Sequence, residues 1–238
     1  MSGHSKWSTI KRQKGVADAK RSSVFTKLGK AIVVAARLGG ADPAMNFRLR
    51  LAVEKAREAS MPKDNIERAI AKGSGTAEGQ QLEEVTYEGF GPGGTAIIVE
   101  AVTDNRNRTV HEVKTLFSKH GGTMGNENSV RWQFDRRGVL RIAAEHLPKD
   151  HDTFALQMIE EGAEDVKDDP EGITLLTQPE ALEKVKVALG TTPVASADIE
   201  FVPKTPLPLS PADAEKLHTL TGILEDHADV TNVWTNGA

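Results

Sequence analysis

The sequence predicts an α+β multidomain fold: an N-terminal three-helix domain followed by two small α/β sheet domains, the central one discontinuous. Three features predict it. Apolar residues recur at helical spacing through the first 75 positions. Beyond the flexible joint Gly73-Ser74-Gly75-Thr76, the pattern changes to strand, turn and strand. A last helix and strand follow a proline-rich connection, and one helix with one strand cannot form a domain alone. They are expected to return to the sheet begun at residue 85. The expected domains are 1–75, 76–134 together with 204–238, and an insertion at 135–203.

Residues 1–16 show no clean period and read as an arm that orders on binding. From about Ala17 a helix begins, with Val24, Phe25, Leu28, Ile32 and Ala35 as its apolar stripe. Gly39-Gly40 ends it. Asp42-Pro43 is expected to cap and open a second helix, with Met45, Leu49, Ala52, Val53 and Ala56 inside. Met61-Pro62 breaks that helix. A short third one follows over Asp64–Ile70, with a capping-box-like Asp64/Glu67 pair and Gly73 as its stop.

Val85–Phe90 and Thr95–Val102 read as strands joined by the turn Gly91-Pro92-Gly93-Gly94. Thr103-Asp104-Asn105 caps a helix with Val110, Val113, Phe117 and His120 on one side. Val130, Trp132 and Phe134 alternate with Arg131 and Gln133, which predicts a half-buried strand, and Asp135–Gly138 reads as a turn. Strands at 139–142, 173–177 and 199–202 alternate with helices at 152–161 and 179–189, a βαβαβ-like order. Pro203, Pro206, Pro208 and Pro211 form a stiff connection. Ser210 caps the last helix, with Ala214, Leu217, Leu220 and Leu224 inside, and Val230–Trp234 is the last strand.

Composition narrows the function classes. Of 238 residues, 38% are hydrophobic and 27% charged, enough apolar content for packed cores. The absence of cysteine excludes disulfides, thiolate zinc sites and Cys nucleophiles, and fits a reducing compartment. The longest apolar run, Ala31–Ala36, is too short to span a bilayer, and the N-terminus lacks the apolar stretch of a signal peptide. A cytoplasmic protein with no membrane partner is expected. The net charge of −4 conceals an asymmetry: positions 1–75 hold 16 Lys/Arg against 6 Asp/Glu, and positions 76–238 hold 14 against 28. A cationic module on an anionic body is suited to gripping a polyanion with one end.

The arm carries the sharpest signal. Four cations, Lys6, Lys11, Arg12 and Lys14, surround Trp7, with His4 beside them. Such cations neutralise phosphates and release counterions, while Trp7 offers a stacking face. Lys20, Arg21, Lys27, Lys30 and Arg37 continue the positive charge along the first helix, where Asp18 is the one acid before position 42. The bland alternatives are a solvated basic tail and a wet helix face. Asn105, Arg106 and Arg108 at a helix N-terminus make a candidate second anion site, with plain capping and exposed arginines as the alternative.

Other motifs exclude chemistry. Gly89–Gly94 is followed by a strand, so it is a hairpin turn and no phosphate loop. His111-Glu112 lacks a second His, because Thr115 stands in its place. Glu160-Glu161, Glu164-Asp165 and Asp168-Asp169 read as solvated surface. No catalytic set, metal ligand set or cofactor site is picked out, and no small-molecule substrate is expected. A protein-binding adaptor and a nuclease are the rival classes.

Several segments together resemble the YebC/PmpR family nearly end to end. They are Gly3–Trp7, Asp18–Arg21 with Phe25–Leu28, Met61–Ile70, Tyr87–Gly94, Thr103–Thr109 and Asn232–Asn236. Phe47 stands where a Pro is usual, and Trp234 where a Tyr is usual; neither touches the arm. The resemblance implies three domains and a cytoplasmic, non-enzymatic regulator of gene expression. Members are mostly described as DNA-binding transcriptional regulators. A competing account makes them ribosome-associated translation factors that relieve stalling at proline stretches, with mitochondrial relatives acting in translation. The expected partner is therefore nucleic acid, DNA or ribosomal RNA. The acidic domains are left for the ribosome or other proteins. The Gly-interrupted arm with its Trp, and the lack of a clear helix-turn-helix, lean towards RNA.

Overall fold

Three amphipathic helices open the fold because their apolar residues close on one another. The computed structural model describes residues 18–75 and 82–238. Helix α1 spans Asp18–Gly39, α2 Phe47–Glu58 and α3 Lys63–Gly73. Their common core holds Ile32, Ala35, Leu49, Val53, Ala56, Met61 and Ile66. The second helix starts later than expected. Asp42 Oδ1 accepts from Ala44 N within a separate turn, and Asn46 caps α2 by accepting from Leu49 N. Asn46 also donates to Ala35 O and Gly40 O, both at 2.8 Å, so a single buried amide joins α1 to α2. Met45 precedes the helix and is 85% exposed, outside the expected core. Helix α3 is entered through Pro62 with no side-chain cap. Asp64 lies in its first turn and Glu67 pairs with Lys63, so no capping box forms. Gly73 ends α3 within the helix, where its role is close approach: a Cβ there would overlap Val33 O.

Strands β1 (Glu83–Phe90) and β2 (Ala96–Thr103) form an antiparallel hairpin. Its connection is a tight turn with Gly93 and Gly94 at positive φ. Helix α4 (Arg106–Lys119) and the short strand β3 (Thr123–Met124) follow. Strand β4 covers Phe134–Ala143, α5 His151–Glu161, β5 Ala163–Asp169, β6 Gly172–Thr177, α6 Leu182–Ala188 and β7 Ser196–Pro203. Helix α7 (Pro211–Asp226) and strand β8 (Val230–Thr235) close the chain.

Two sheets result, ordered β3-β1-β2-β8 and β5-β6-β4-β7. The last strand returns to pair antiparallel with β2, Val99 opposite Val233, so the central domain is discontinuous. One face of this first sheet is covered by α4 and α7 through Tyr87, Ile97, Val99, Phe117, Leu220 and Leu224. Ala214, expected inside, is exposed on α7. Val33 and Val34 of α1 pack with Leu82 and Val102, which seats the helical bundle on the same body as this sheet. The chain divides into two compact units: residues up to Gln133 with Pro203–Ala238, and Phe134–Val202.

The second unit is βαββαβ, where the sequence reads as βαβαβ. The order β5-β6-β4-β7 is that of a split βαβ, ferredoxin-like sheet. Strand β5 was hidden in Ala163–Asp169, whose acids read as solvated surface; they occupy an edge strand paired with β6. Residues 135–138 belong to β4 and form no turn. Gly138 is there because a Cβ would overlap Thr177 Oγ1 and lie 2.9 Å from Leu182 Cβ. Within this unit Arg141 and Glu200, both nearly buried, form a two-pronged ion pair at 2.7 and 2.9 Å. Residues 131–133 are a short 3-10 turn, so the expected strand through Trp132 does not form.

Candidate nucleic-acid interface

Helical spacing sends the cations of α1 in more than one direction. Val34 lies four residues beyond Lys30 and seven beyond Lys27, so all three share a face. That face meets the first sheet, because Val34 is fully buried beside Leu82 and Val102. Lys27 Nζ accordingly donates to the backbone carbonyl of Glu225. Burial lowers its pKa, while Asp226 and Glu225 oppose the shift. Lys30 Nζ reaches Asp229 Oδ1 at 2.5 Å and Ala228 O at 3.2 Å. The expectation that both lysines belong to an open cationic stripe is corrected: Lys27 is turned onto the last turn of α7 and Lys30 onto the segment joining α7 to β8.

Arg37, in the last turn of α1, is exposed and has no partner among the described residues. Lys20 and Arg21 lie in the first turn of α1. His4, Lys6, Trp7, Lys11, Arg12 and Lys14 fall outside the described residues. On another side of α1, Ser22, Phe25, Thr26 and Gly29 line an open groove with Met61, Asn65 and Arg68. Arg68 is its cation and donates to Asn65 Oδ1 at 3.4 Å.

The candidate second anion site is also taken from within. Asn105 caps α4 by accepting from Arg108 N. Arg108 Nη2 binds Asp229 Oδ2 at 2.8 Å and Asp104 Oδ1 at 2.9 Å, with Glu112 at 3.9 Å. Three carboxylates about one guanidinium leave no net positive field for an anion. Arg106 remains exposed in the first turn of α4.

Asp229 is the residue that sequence reasoning missed. It is 4% exposed and accepts from Lys30, Arg108, Thr109 Oγ1 at 2.7 Å and Thr103 Oγ1 at 3.3 Å. Burial opposes its charge, yet the hydrogen bonds from Lys30, Thr109 and Arg108 hold its pKa far below the ordinary carboxylate range. The available signal was the Lys27, Lys30 and Val34 spacing, which places charge and apolar side chains on one helix face.

Glu112, His227 and Asp229 bring three ligand-type atoms within 4.8 Å of one another beside Arg108. Their bonding is internal. His227 Nδ1 accepts from Asp229 N at 3.1 Å, so the neutral ring donates from Nε2 to Glu112 at 3.0 Å. Asp229 meanwhile faces two cations. A metal ion there would sit against Lys30 and Arg108, so the donor set does not fit one.

Among the described residues no helix is long and apolar enough to cross a membrane. Residues 5–76 match the family described as TACO1/YebC protein N-terminal domain, and residues 82–237 that described as TACO1/YebC second and third domain. A "Probable transcriptional regulatory protein" of Desulforamulus reducens is 50% identical over 238 residues, covering 99% of this chain and 98% of the relative. One of Carboxydothermus hydrogenoformans with the same name is 48% identical over 239 residues, with the same coverage. The crystal structure of a conserved hypothetical protein from Aquifex aeolicus is similar at a TM-score of 0.85 and 43% identity, covering 93% of this chain and 91% of that one.

Proposed function

The chain belongs to the TACO1/YebC family, and from that membership we propose that it is a non-enzymatic regulator of gene expression that grips DNA with its basic N-terminal region. The carrying observation is the charge split, sharpened by where the lysines of α1 go. Lys27 and Lys30 serve the body, while positions 1–21 still hold six Lys/Arg against one Asp. The grip is assigned to Lys6, Lys11, Arg12, Lys14, Lys20 and Arg21, with His4 and Arg37 at its margins and Trp7 as a stacking or wedge residue. The acidic remainder repels phosphates, which makes the grip one-ended and leaves that remainder for protein partners. The relatives' names support transcription as the process. The proposal needs no cofactor or small-molecule substrate, and places the protein in the cytoplasm.

The test is the joint replacement Lys11→Ala, Arg12→Ala and Lys14→Ala. Each phosphate that the variant leaves unneutralised takes about 0.9 from the slope of log K against log salt on duplex DNA. A slope lower by about 2.7, with weaker binding, is expected; an unchanged slope and affinity would remove the arm from the interface.

A second reading, ribosome-associated action on ribosomal RNA in translation, is favoured by α3. Its 11 residues mix Lys63, Arg68 and Lys72 with Asp64 and Glu67, a poor set for reading base edges in a groove. Crosslinking in cells with sequencing of the bound nucleic acid separates the two. Reads at promoters support the first reading, and reads on ribosomal RNA the second.

A further inference from the structure

We propose that the open groove between α1 and α3 seats the sugar-phosphate backbone of the bound nucleic acid, with Arg68 as its phosphate contact. The inference rests on the nucleic-acid reading above and adds a contact outside the arm. Ser22, Thr26 and Gly29 fall at i, i+4 and i+7 and line the groove along one face of α1, with Phe25 beside them. Asn65 and Arg68 line it from α3. The lysines of α1 that are turned onto the body, Lys27 and Lys30, do not line it.

Arg68 is exposed, and among the described residues no carboxylate compensates its charge. Its side chain donates to the neutral Asn65 Oδ1 at 3.4 Å, a long bond that occupies one of five N–H donors. Asp64 lies one turn before Arg68 without pairing to it, and Glu67 pairs with Lys63. Neighbouring cations are spent differently: Arg48 pairs with Glu84, Lys30 with Asp229 and Lys63 with Glu67. Lys72 lies seven residues beyond Asn65 and four beyond Arg68, so it continues the same flank of α3.

Charge and place select the occupant. Among the described residues no carboxylate lines the groove, and it belongs to the half of the chain where 16 Lys/Arg face 6 Asp/Glu. A guanidinium beside hydroxyls and an amide is the donor set that holds phosphate and sugar oxygens without reading bases. That agrees with the poor supply of base-reading side chains on α3. The groove also adjoins the arm: Ser22 directly follows Lys20 and Arg21 in the first turns of α1. A polyanion gripped by those residues therefore has its next phosphates beside Arg68.

The test titrates the full chain with a 20-base-pair DNA duplex across a salt series. Arg68→Ala is expected to weaken binding about eightfold at 0.1 M salt and to lower the slope of log K against log salt by about 0.9, the share of one phosphate. Lys63→Ala removes the same charge from the other flank of α3, outside the groove, and should leave affinity within about twofold. A Cβ at Gly29 meets nothing within 4 Å, so Gly29→Glu sets a carboxylate into the groove without overlap there and should weaken binding at least as much as Arg68→Ala. Unchanged melting temperatures show that the fold is intact. An unaltered slope and affinity for Arg68→Ala, or equal losses for Arg68→Ala and Lys63→Ala, overturn the assignment; the first of these leaves the groove to a protein segment. The arm triple variant separates the two claims. If it loses binding while Arg68→Ala does not, only the groove contact falls. If the wild-type chain does not bind the duplex, the nucleic-acid reading falls with it.

Discussion

Asp229 joins parts of the chain far apart in sequence: Lys30 from α1, Thr103 from the end of β2, and Arg108 and Thr109 from α4. Its depressed pKa gives the sign of a pH effect. A carboxylate with a folded-state pKa below that of the unfolded chain adds stability above about pH 4, and this is lost as pH falls further. Asp229→Asn should lower stability by about 2 kcal/mol at pH 7, the scale of hydrogen bonds to a charged group. The gap in melting temperature between variant and wild type should narrow as pH falls from about 5 to 2. A gap independent of pH would show that the carboxylate charge contributes nothing. None of this was legible locally, because Asp229 lies in a run, His227-Ala228-Asp229-Val230, with no motif of its own.

At the scale of elements, α1 serves two cores. Its Ile32 and Ala35 close the helical bundle, while Val33 and Val34 meet the sheet. The close approach of α3 to α1 depends on Gly73, where a Cβ would overlap Val33 O and lie 2.7 Å from Ala36 Cβ. Gly73→Ala should therefore destabilise the chain by about 1–3 kcal/mol through overpacking, despite the better helix propensity of Ala. Gly29→Ala is the internal control. A Cβ there meets nothing within 4 Å, so it should be neutral or stabilise by up to about 1 kcal/mol. Thermal melts of both variants check the pair; equal effects would mean that the α1–α3 approach is loose. The helices were readable because their apolar residues repeat at the helical period. Strand β5 was not, since an exposed edge strand carries the same acids as a loop.

For the whole molecule, segregation of charge is the dominant feature. With six cations between positions 1 and 21, and each neutralised phosphate releasing a counterion, binding to duplex DNA should fall by about 10³-fold between 50 and 200 mM salt. A weak salt dependence would indicate a grip of a different kind. Lys27, Lys30 and Arg108 each face a carbonyl or carboxylate of the body, so the cations of positions 1–21 are the ones that this prediction counts.

Composition and period alone determined the polarity of this chain, the three opening helices, the hairpin at Gly91–Gly94 and the return of the last strand to the central sheet. These depend on residues near in sequence, or on an apolar strand's need for a neighbour. Only the tertiary structure decided which positive side chains face outward. Lys30 and Asp229 are 199 positions apart, and no local pattern records a partner that folding brings to 2.5 Å. The same holds for Trp132, read as a strand residue from alternation: it lies in a short 3-10 turn, and the preceding loop is held by buried Glu88 from a distant strand.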